Sequence, residues 1–267
     1  MSNASSRLGE AGIESSSIEL QMLVAHASGK DRTWVLAHLT DIGNNSSELD
    51  ILLERRINRE PLAYILGYRE FYGRNFKVSK KVLIPRQETE HLVEAALKYI
   101  ELDGWAVDIG TGSGCIGISL ALETNSFNWI LTDISPEALE IAKINAKSQN
   151  ANVRFLNCDL LLTFKPDSLI LVVSNPPYIS INAPLPPEID LYEPVRALFA
   201  GEDGLEIYRR LIPQSFQALK IGGLLIMEVG YGQMDYVKDL SEWIGFEVKE
   251  VLSDLAKIPR VIILKKS

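Results

Sequence analysis

Ala106-Val107-Asp108-Ile109-Gly110-Thr111-Gly112-Ser113-Gly114 runs a short apolar segment straight into a glycine-rich turn, and Ile116–Leu122 then reads as a helix. Leu169-Ile170-Leu171-Val172-Val173 is a brief apolar run with no polar alternation, which is what a strand covered on both faces requires, and such strands belong to parallel sheets. Glycines between strand and helix let the backbone come close to a ligand that side chains would exclude. On both sides of this stretch the chain repeats the same alternation. Strands are expected at Ala106–Ile109, Trp129–Thr132, Val153–Asn157, Leu169–Val173 and Leu224–Val229, with two more around Phe246–Val251 and Val261–Leu264. Helices are expected at Thr89–Ile100, Ile116–Leu122, Pro136–Ser148, Leu205–Leu219 and Gln233–Glu242. Ser135 is a natural N-cap, with Pro136 at the first helical position. The pattern predicts an α/β fold, a Rossmann-like seven-stranded and mostly parallel sheet with helices on both faces.

Before Pro85 the pattern differs. Residues 1–68 read as a small helical domain, with apolar runs at Ile18–His26, Trp34–Leu36, Leu49–Ile57 and Leu62–Leu66, the third opened by Ser46-Ser47-Glu48 and the last closed by Gly67. Residues 69–84 read as a β-hairpin linker with Gly73-Arg74 near its turn, and 85–267 as the main domain. Met1–Ser6 has no basic-then-apolar signal pattern and is set aside from the fold reading.

Composition narrows the function. The 46% hydrophobic and 23% charged content is that of an ordinary globular protein, and no apolar run approaches a membrane span, which predicts a cytoplasmic protein with no membrane partner. Cys115 and Cys158, with His26, His38 and His91, make no metal-ligand spacing, so no metal is expected. A formal charge of −8 weakens any reading that needs broad nucleic-acid affinity, which rests on neutralising phosphates. Arg55, Arg56, Arg59, Arg69, Arg74, Lys77, Lys80, Lys81 and Arg86 still crowd one stretch, as either a solvated face or a docking surface for an acidic partner.

The glycine spacing Gly112-x-Gly114-x-x-Gly117 also fits a dinucleotide fingerprint, so taken alone it is ambiguous. Two carboxylates separate the readings. Asp108, beside the loop, would repel a pyrophosphate but suit the ammonium of a methionine moiety. Asp133 closes the second strand, where it can take both ribose hydroxyls. S-adenosylmethionine is the better ligand, held by Asp108, the loop Gly110, Thr111, Gly112, Ser113 and Gly114, and Asp133. At the end of the third strand, Asp159 would accept from the adenine amine while Leu160 packs on the ring.

Asn175-Pro176-Pro177-Tyr178 follows the apolar run Leu169–Val173, hence lies just beyond a strand's carboxyl end, where open α/β sheets bind ligands. Asn175 offers a side-chain oxygen, and Pro176 a backbone carbonyl without a companion N–H. Two rigid acceptors can grip a planar NH2, and the face of Tyr178 can cover it. A planar NH2 is a poor nucleophile because its lone pair is delocalised, and such a grip would localise and aim it.

The chain resembles the release-factor glutamine methyltransferases, the HemK/PrmC family of protein-(glutamine-N5) methyltransferases, over nearly its whole length. The resemblance rests on Glu60–Gly67, Glu70–Gly73, Leu83-Ile84-Pro85-Arg86 with Thr89-Glu90, the Asp108–Gly114 loop, Val173–Tyr178, Glu193-Pro194, Ala197-Leu198 and Gly201-x-Asp203-Gly204. It implies a class I methyltransferase fold and transfer of a methyl group from S-adenosylmethionine to the glutamine amide of the Gly-Gly-Gln motif in class I peptide-chain release factors, and the grip on the NH2 suggests direct in-line displacement at the sulfonium methyl. By that resemblance Asn175, Pro176, Pro177 and Tyr178 bind the glutamine, and Asn175 also faces the methionine part of the cofactor. The N-terminal helices contact the release factor. Gln87 and Lys257 depart from the family's usual proline and glycine. The rivals are a methyltransferase on adenine N6 or another exocyclic amine of nucleic acid, which would need a basic cleft, and a cofactor-binding scaffold without activity. Glu193 and Arg86 are candidates for an ion pair bracing the active-site loop, and nothing in the sequence suggests an obligate dimer.

Overall fold

The computed structural model describes residues 2–38, 47–99, 103–124 and 127–267. The chain forms two compact units, Met1–Tyr68 with Leu185–Tyr192, and Arg69–Pro184 with Glu193–Ser267. The first begins with helices α1 (Ser2–Glu10), α2 (Ser16–Ser28), α3 (Arg32–Ala37), α4 (Ser47–Ile57) and α5 (Leu62–Leu66). Their apolar faces enclose Leu8, Leu20, Leu23, Val35, Leu53 and Ile65. Asp31 caps α3 by accepting from the Trp34 N–H at 2.7 Å. The opening residues, set aside in the sequence reading, are helical. Their serines give weak helix propensity, but the fully buried Leu8 anchors α1 in this core. The expected cap at Ser46 and the expected helix end at Ile100 lie outside the described residues.

The linker hairpin pairs β1 (Tyr68–Phe71) with β2 (Arg74–Lys77). Its turn is Tyr72-Gly73, both left-handed at φ +50° and +69°, as a two-residue turn matching the strand twist demands. A 3-10 turn at Gln87–Thr89 leads into α6 (Glu90–Leu97). The sheet and its helices then follow as β3 (Gly104–Ile109), α7 (Cys115–Glu123), β4 (Phe127–Asp133), α8 (Pro136–Ser148), β5 (Arg154–Asn157) and β6 (Leu169–Ser174). Next come α9 (Pro187–Tyr192), whose segment belongs to the first unit, and α10 (Val195–Leu198). The chain ends with α11 (Glu206–Ala218), β7 (Leu219–Glu228), α12 (Met234–Ile244), β8 (Phe246–Ser253) and β9 (Pro259–Lys266). The sequence reading had no helix at α9 or α10.

The sheet order is β5-β4-β3-β6-β7-β9-β8, parallel except at β9, which runs antiparallel to β7 and β8. On one face the helix residues Leu92 and Ile118 pack with Trp129 and Leu131 of the sheet, and on the other Tyr208, Leu211 and Ile212 pack with Met227 of the sheet. From β3 the chain winds first to β4 and β5, then returns to the other side of β3 as β6. That reversal opens a crevice at the carboxyl ends of β3 and β6. The register sets Ile109 beside both Thr132 and Ser174, so the glycine loop and the Asn-Pro-Pro-Tyr segment leave the sheet side by side.

Candidate active site

At the crevice is a cavity of about 580 Å³. Gly110, Gly112, Asp133, Asp159, Leu160, Asn175, Pro176 and Pro177 all line it. These residues come from the ends of four strands, β3, β4, β5 and β6, and the fold brings them to one cavity. Gly110 and Gly112 have φ of +67° and +55°, and among the described residues, their chain neighbours aside, no atom lies within 4 Å of where a Cβ on either would sit. They leave an open backbone cradle. Gly114 serves a different need. At φ +85° its Cβ would come within 2.6 Å of Ile118 Cδ1 and 3.3 Å of Ala142 Cβ, so glycine there leaves room for the start of α7 to lie against α8. Thr111, Ser113 and Gly114 shape the turn without lining the cavity: the Gly114 N–H donates to the Thr111 carbonyl at 2.8 Å. The Ser113 carbonyl accepts from the Asn145 amide at 2.8 Å, and Asn145 also exchanges hydrogen bonds with the Lys77 backbone, tying hairpin and loop together.

Asp108 is fully buried beneath the loop, and its carboxylate faces the interior instead of the cavity. One oxygen accepts from the Thr111 hydroxyl at 2.5 Å and from the Gly117 N–H at 2.9 Å. The other has no partner among the described residues. Burial pushes its pKa up to about 6. It therefore braces the turn, away from the ammonium contact expected from sequence. Asp133 does line the cavity. Its carboxylate accepts from the Gly112 and Ser135 N–H groups, both at 2.9 Å, and burial raises its pKa. Those bonds occupy one lone pair on each oxygen, leaving acceptor capacity toward the cavity. Ser135 caps α8 through a bond from the Ala138 N–H.

Asp159 pairs through one oxygen with Arg210 of α11, and its other oxygen has no hydrogen bond among the described residues. Leu160 beside it holds φ at +49°, a conformation a branched side chain rarely adopts and one that concentrates at ligand sites. Arg210 and Arg196 also line the cavity, and the sequence reading named neither. Arg210 falls on a correctly expected helix, but nothing local to it signals that it reaches a partner 51 residues away.

Asn175 donates its side-chain NH2 to the Thr89 hydroxyl at 3.1 Å, and Thr89 donates in turn to Glu228 at 2.7 Å. Among the described residues neither the Asn175 side-chain oxygen nor the Pro176 carbonyl receives a hydrogen bond, so two acceptors stand at the cavity wall. Tyr178 does not line the cavity. Its hydroxyl donates to Glu228 at 3.2 Å, its carbonyl accepts from the Gln233 amide at 2.9 Å, and burial foremost drives its pKa up, with the Glu228 charge adding to it. Glu193 is buried, and it takes the Arg86 guanidinium at 2.6 Å and the Ile84 N–H at 3.2 Å, so the expected ion pair forms. Most of the basic stretch is likewise paired. Arg55 bonds Glu60, Arg56 and Arg59 bond Glu188, Arg74 bonds Glu123 and Lys81 bonds Glu140. The cations read as a candidate docking surface are in large part neutralised within the chain.

Residues 1–67 match the PrmC N-terminal domain and residues 87–183 the methyltransferase small domain. The chain is 40% identical over 259 residues to the release factor glutamine methyltransferase of Koribacter versatilis, covering 93% of this chain and 91% of that one. The chain belongs to the release factor glutamine methyltransferase family. A second member, from Thermodesulfovibrio yellowstonii, is 38% identical over 257 residues, 93% of this chain and 92% of its own. The fold is that of solved class I methyltransferases: a methyltransferase from Pyrococcus furiosus superposes with a TM-score of 0.55 at 20% identity, over 81% of this chain and 96% of that one. As a family member the protein is an S-adenosylmethionine-dependent methyltransferase. The cavity suits that cofactor: two glycines whose missing side chains leave open space, with carboxylates at the next two strand ends, form a set of backbone and acidic groups matched to a nucleoside with a cationic tail.

Proposed function

We propose that this enzyme methylates the N5 side-chain amide of the glutamine in the Gly-Gly-Gln motif of class I peptide-chain release factors, in the cytoplasm, and so modulates translation termination. One observation carries the reading. The Asn175 side-chain oxygen and the Pro176 carbonyl accept no hydrogen bond among the described residues, and both residues line the cavity that the open glycines line. A primary amide has two N–H donors, and two acceptors satisfy both. Gly110 and Gly112 with Asp133, Asp159 and Leu160 would hold the cofactor, and S-adenosylmethionine would supply an electrophilic sulfonium methyl there. Asn175 and Pro176 fix the plane of the glutamine amide and turn its nitrogen lone pair toward the methyl. Pro177 stiffens the segment, and Tyr178, held by Glu228 and Gln233 outside the cavity lining, anchors its far end. As the N–C bond forms the methyl–sulfur bond would break, sulfur keeping the electron pair as the thioether of S-adenosylhomocysteine. The extra proton would leave the nitrogen for solvent after transfer, so none of these residues has to act as a strong base. The first unit serves as the recognition domain for the release factor, and the protein works as a monomer.

Labelled S-adenosylmethionine incubated separately with a class I release factor, duplex DNA and RNA tests this reading. Label is expected on the release factor alone, and label on DNA or RNA would transfer the reading to the nucleic-acid rival. Asn175→Ala is expected to lower turnover by about 100-fold, the usual consequence of removing one preorganised hydrogen-bonding group from a transition state. Tyr178→Phe should cost no more than about 10-fold, because the ring stays and only the bond to Glu228 is lost.

A further inference from the structure

Glu228 ends β7, far in sequence from every motif of the site, and is 2% exposed. It touches nothing in the cavity, yet two side chains of the site converge on it. The Thr89 hydroxyl donates to one carboxylate oxygen at 2.7 Å and the Tyr178 hydroxyl to the other at 3.2 Å. Thr89 is itself buried and receives the Asn175 NH2 at 3.1 Å. The chemistry of these groups sets the direction of the chain. A carboxylate only accepts, and a hydroxyl has one proton to give. Thr89 gives that proton to Glu228 and presents only a lone pair to Asn175. Asn175 must then aim its NH2 at Thr89, which turns its oxygen toward the cavity that Asn175 lines. With the opposite polarity an NH2 would face the substrate's own NH2, donor against donor.

We propose that Glu228, acting through Thr89, is a positioning residue that fixes the orientation of the Asn175 amide and so makes its oxygen the acceptor for the substrate. The proposal rests on the reading of Asn175 and Pro176 as the amide grip. Tyr178 shares the same carboxylate, so one buried group registers both ends of the Asn-Pro-Pro-Tyr segment.

Two variants separate positioning from mere support. Thr89→Val keeps the shape and removes the relay, whereas Thr89→Ser keeps the hydroxyl. Glu228→Gln keeps the size but can donate to Thr89, which permits the reversed polarity. With release factor and S-adenosylmethionine as substrates, Thr89→Val and Glu228→Gln should each lower kcat by about 10- to 100-fold, the effect of one unmatched buried hydrogen bond. KM for S-adenosylmethionine should stay within about twofold, and Thr89→Ser should recover most of kcat. The amide orientation is read independently of turnover by NMR, as a nuclear Overhauser effect from the Asn175 NH2 protons to Thr89 Hβ. It should be strong in the wild type and in Thr89→Ser, and weakened in Glu228→Gln. Unchanged kcat in both disruptive variants, or the Overhauser effect intact in Glu228→Gln, overturns the proposal. If the wild type leaves the release factor unlabelled, the substrate reading fails, while the NMR result still decides the orientation of Asn175.

Discussion

At the scale of the residue, Asp108 shows how burial changes what a familiar motif position does. The sequence places it beside the glycine loop, and its type suggests a ligand contact. In the fold it lies under the loop, with one oxygen bonded twice and the other unpartnered. A lone buried carboxylate favours its neutral form, and the pKa of about 6 records this. The consequence for stability has a definite sign. In the unfolded chain Asp108 titrates near about 3.9. Between that value and about 6 the folded protein holds the extra proton, so this contribution is complete below about pH 4 and lost as pH rises through about 6. The span corresponds to about 3 kcal/mol. Asp108→Asn keeps an acceptor for Thr111 and Gly117 and removes the titration. Denaturant unfolding from about pH 4 to about pH 7 should show a smaller loss of stability in the variant than in the wild type. Parallel curves would mean that Asp108 does not titrate in this window.

At the scale of the element, the loop between β3 and α7 contains three left-handed glycines, Gly110 and Gly112 serving one need and Gly114 another. Gly114→Ala sets a Cβ against Ile118 and Ala142 in a strained backbone, and should cost about 2–4 kcal/mol of folding stability. Gly110→Ala meets no protein atom and should cost about 1 kcal/mol in stability, yet it projects a methyl at the cavity wall and should weaken S-adenosylmethionine binding by at least about 10-fold. Chemical denaturation and calorimetric titration of both variants check the contrast; equal stability of the two would refute it. This strand-loop-helix unit was legible in sequence because every clue in it is local: a short strand, glycines, an apolar helix. The same holds for the crevice itself, since strand-helix alternation implies a parallel sheet and the site follows at the strand ends. What was not legible depends on long-range contact. Thr89 and Glu228 meet across 139 residues, and Arg210 reaches Asp159 across 51. α1 carries weak helix formers and is held by the packing of Leu8, and α9 is a six-residue helix with no buried side chain of its own to set a period.

At the scale of the whole molecule, the chain leaves the second unit after Pro184, contributes α9 to the first, and returns at Glu193, the residue that holds Ile84 and Arg86. The segment is tied to the first unit mainly by charge. Glu188 takes Arg56 at 3.3 Å and Arg59 at 2.7 Å, and the Tyr192 hydroxyl donates to the Asn58 carbonyl at 2.7 Å. Arg56 is buried, with Glu19 as its other partner. Burial of Glu188 acts against its charge, but the Arg59 hydrogen bond and the two guanidinium charges outweigh it and hold its pKa below the usual glutamate value. Glu188→Ala would leave a buried guanidinium with half its countercharge. The expected cost is about 1–3 kcal/mol, less than for isolating a buried ion because Glu19 remains. The sign with pH is opposite to that of Asp108. The stabilisation from Glu188 is present above the normal glutamate pKa of about 4.3 and disappears as pH falls through the lower folded value, so the variant should lose less stability on acidification than the wild type does. Limited proteolysis at neutral pH gives the structural readout. Cleavage within residues 185–192 should rise in Glu188→Ala and remain near the wild-type rate in Glu188→Gln, which keeps an acceptor for both arginines. Equal cleavage in all three proteins would show that the segment is held by something other than this carboxylate.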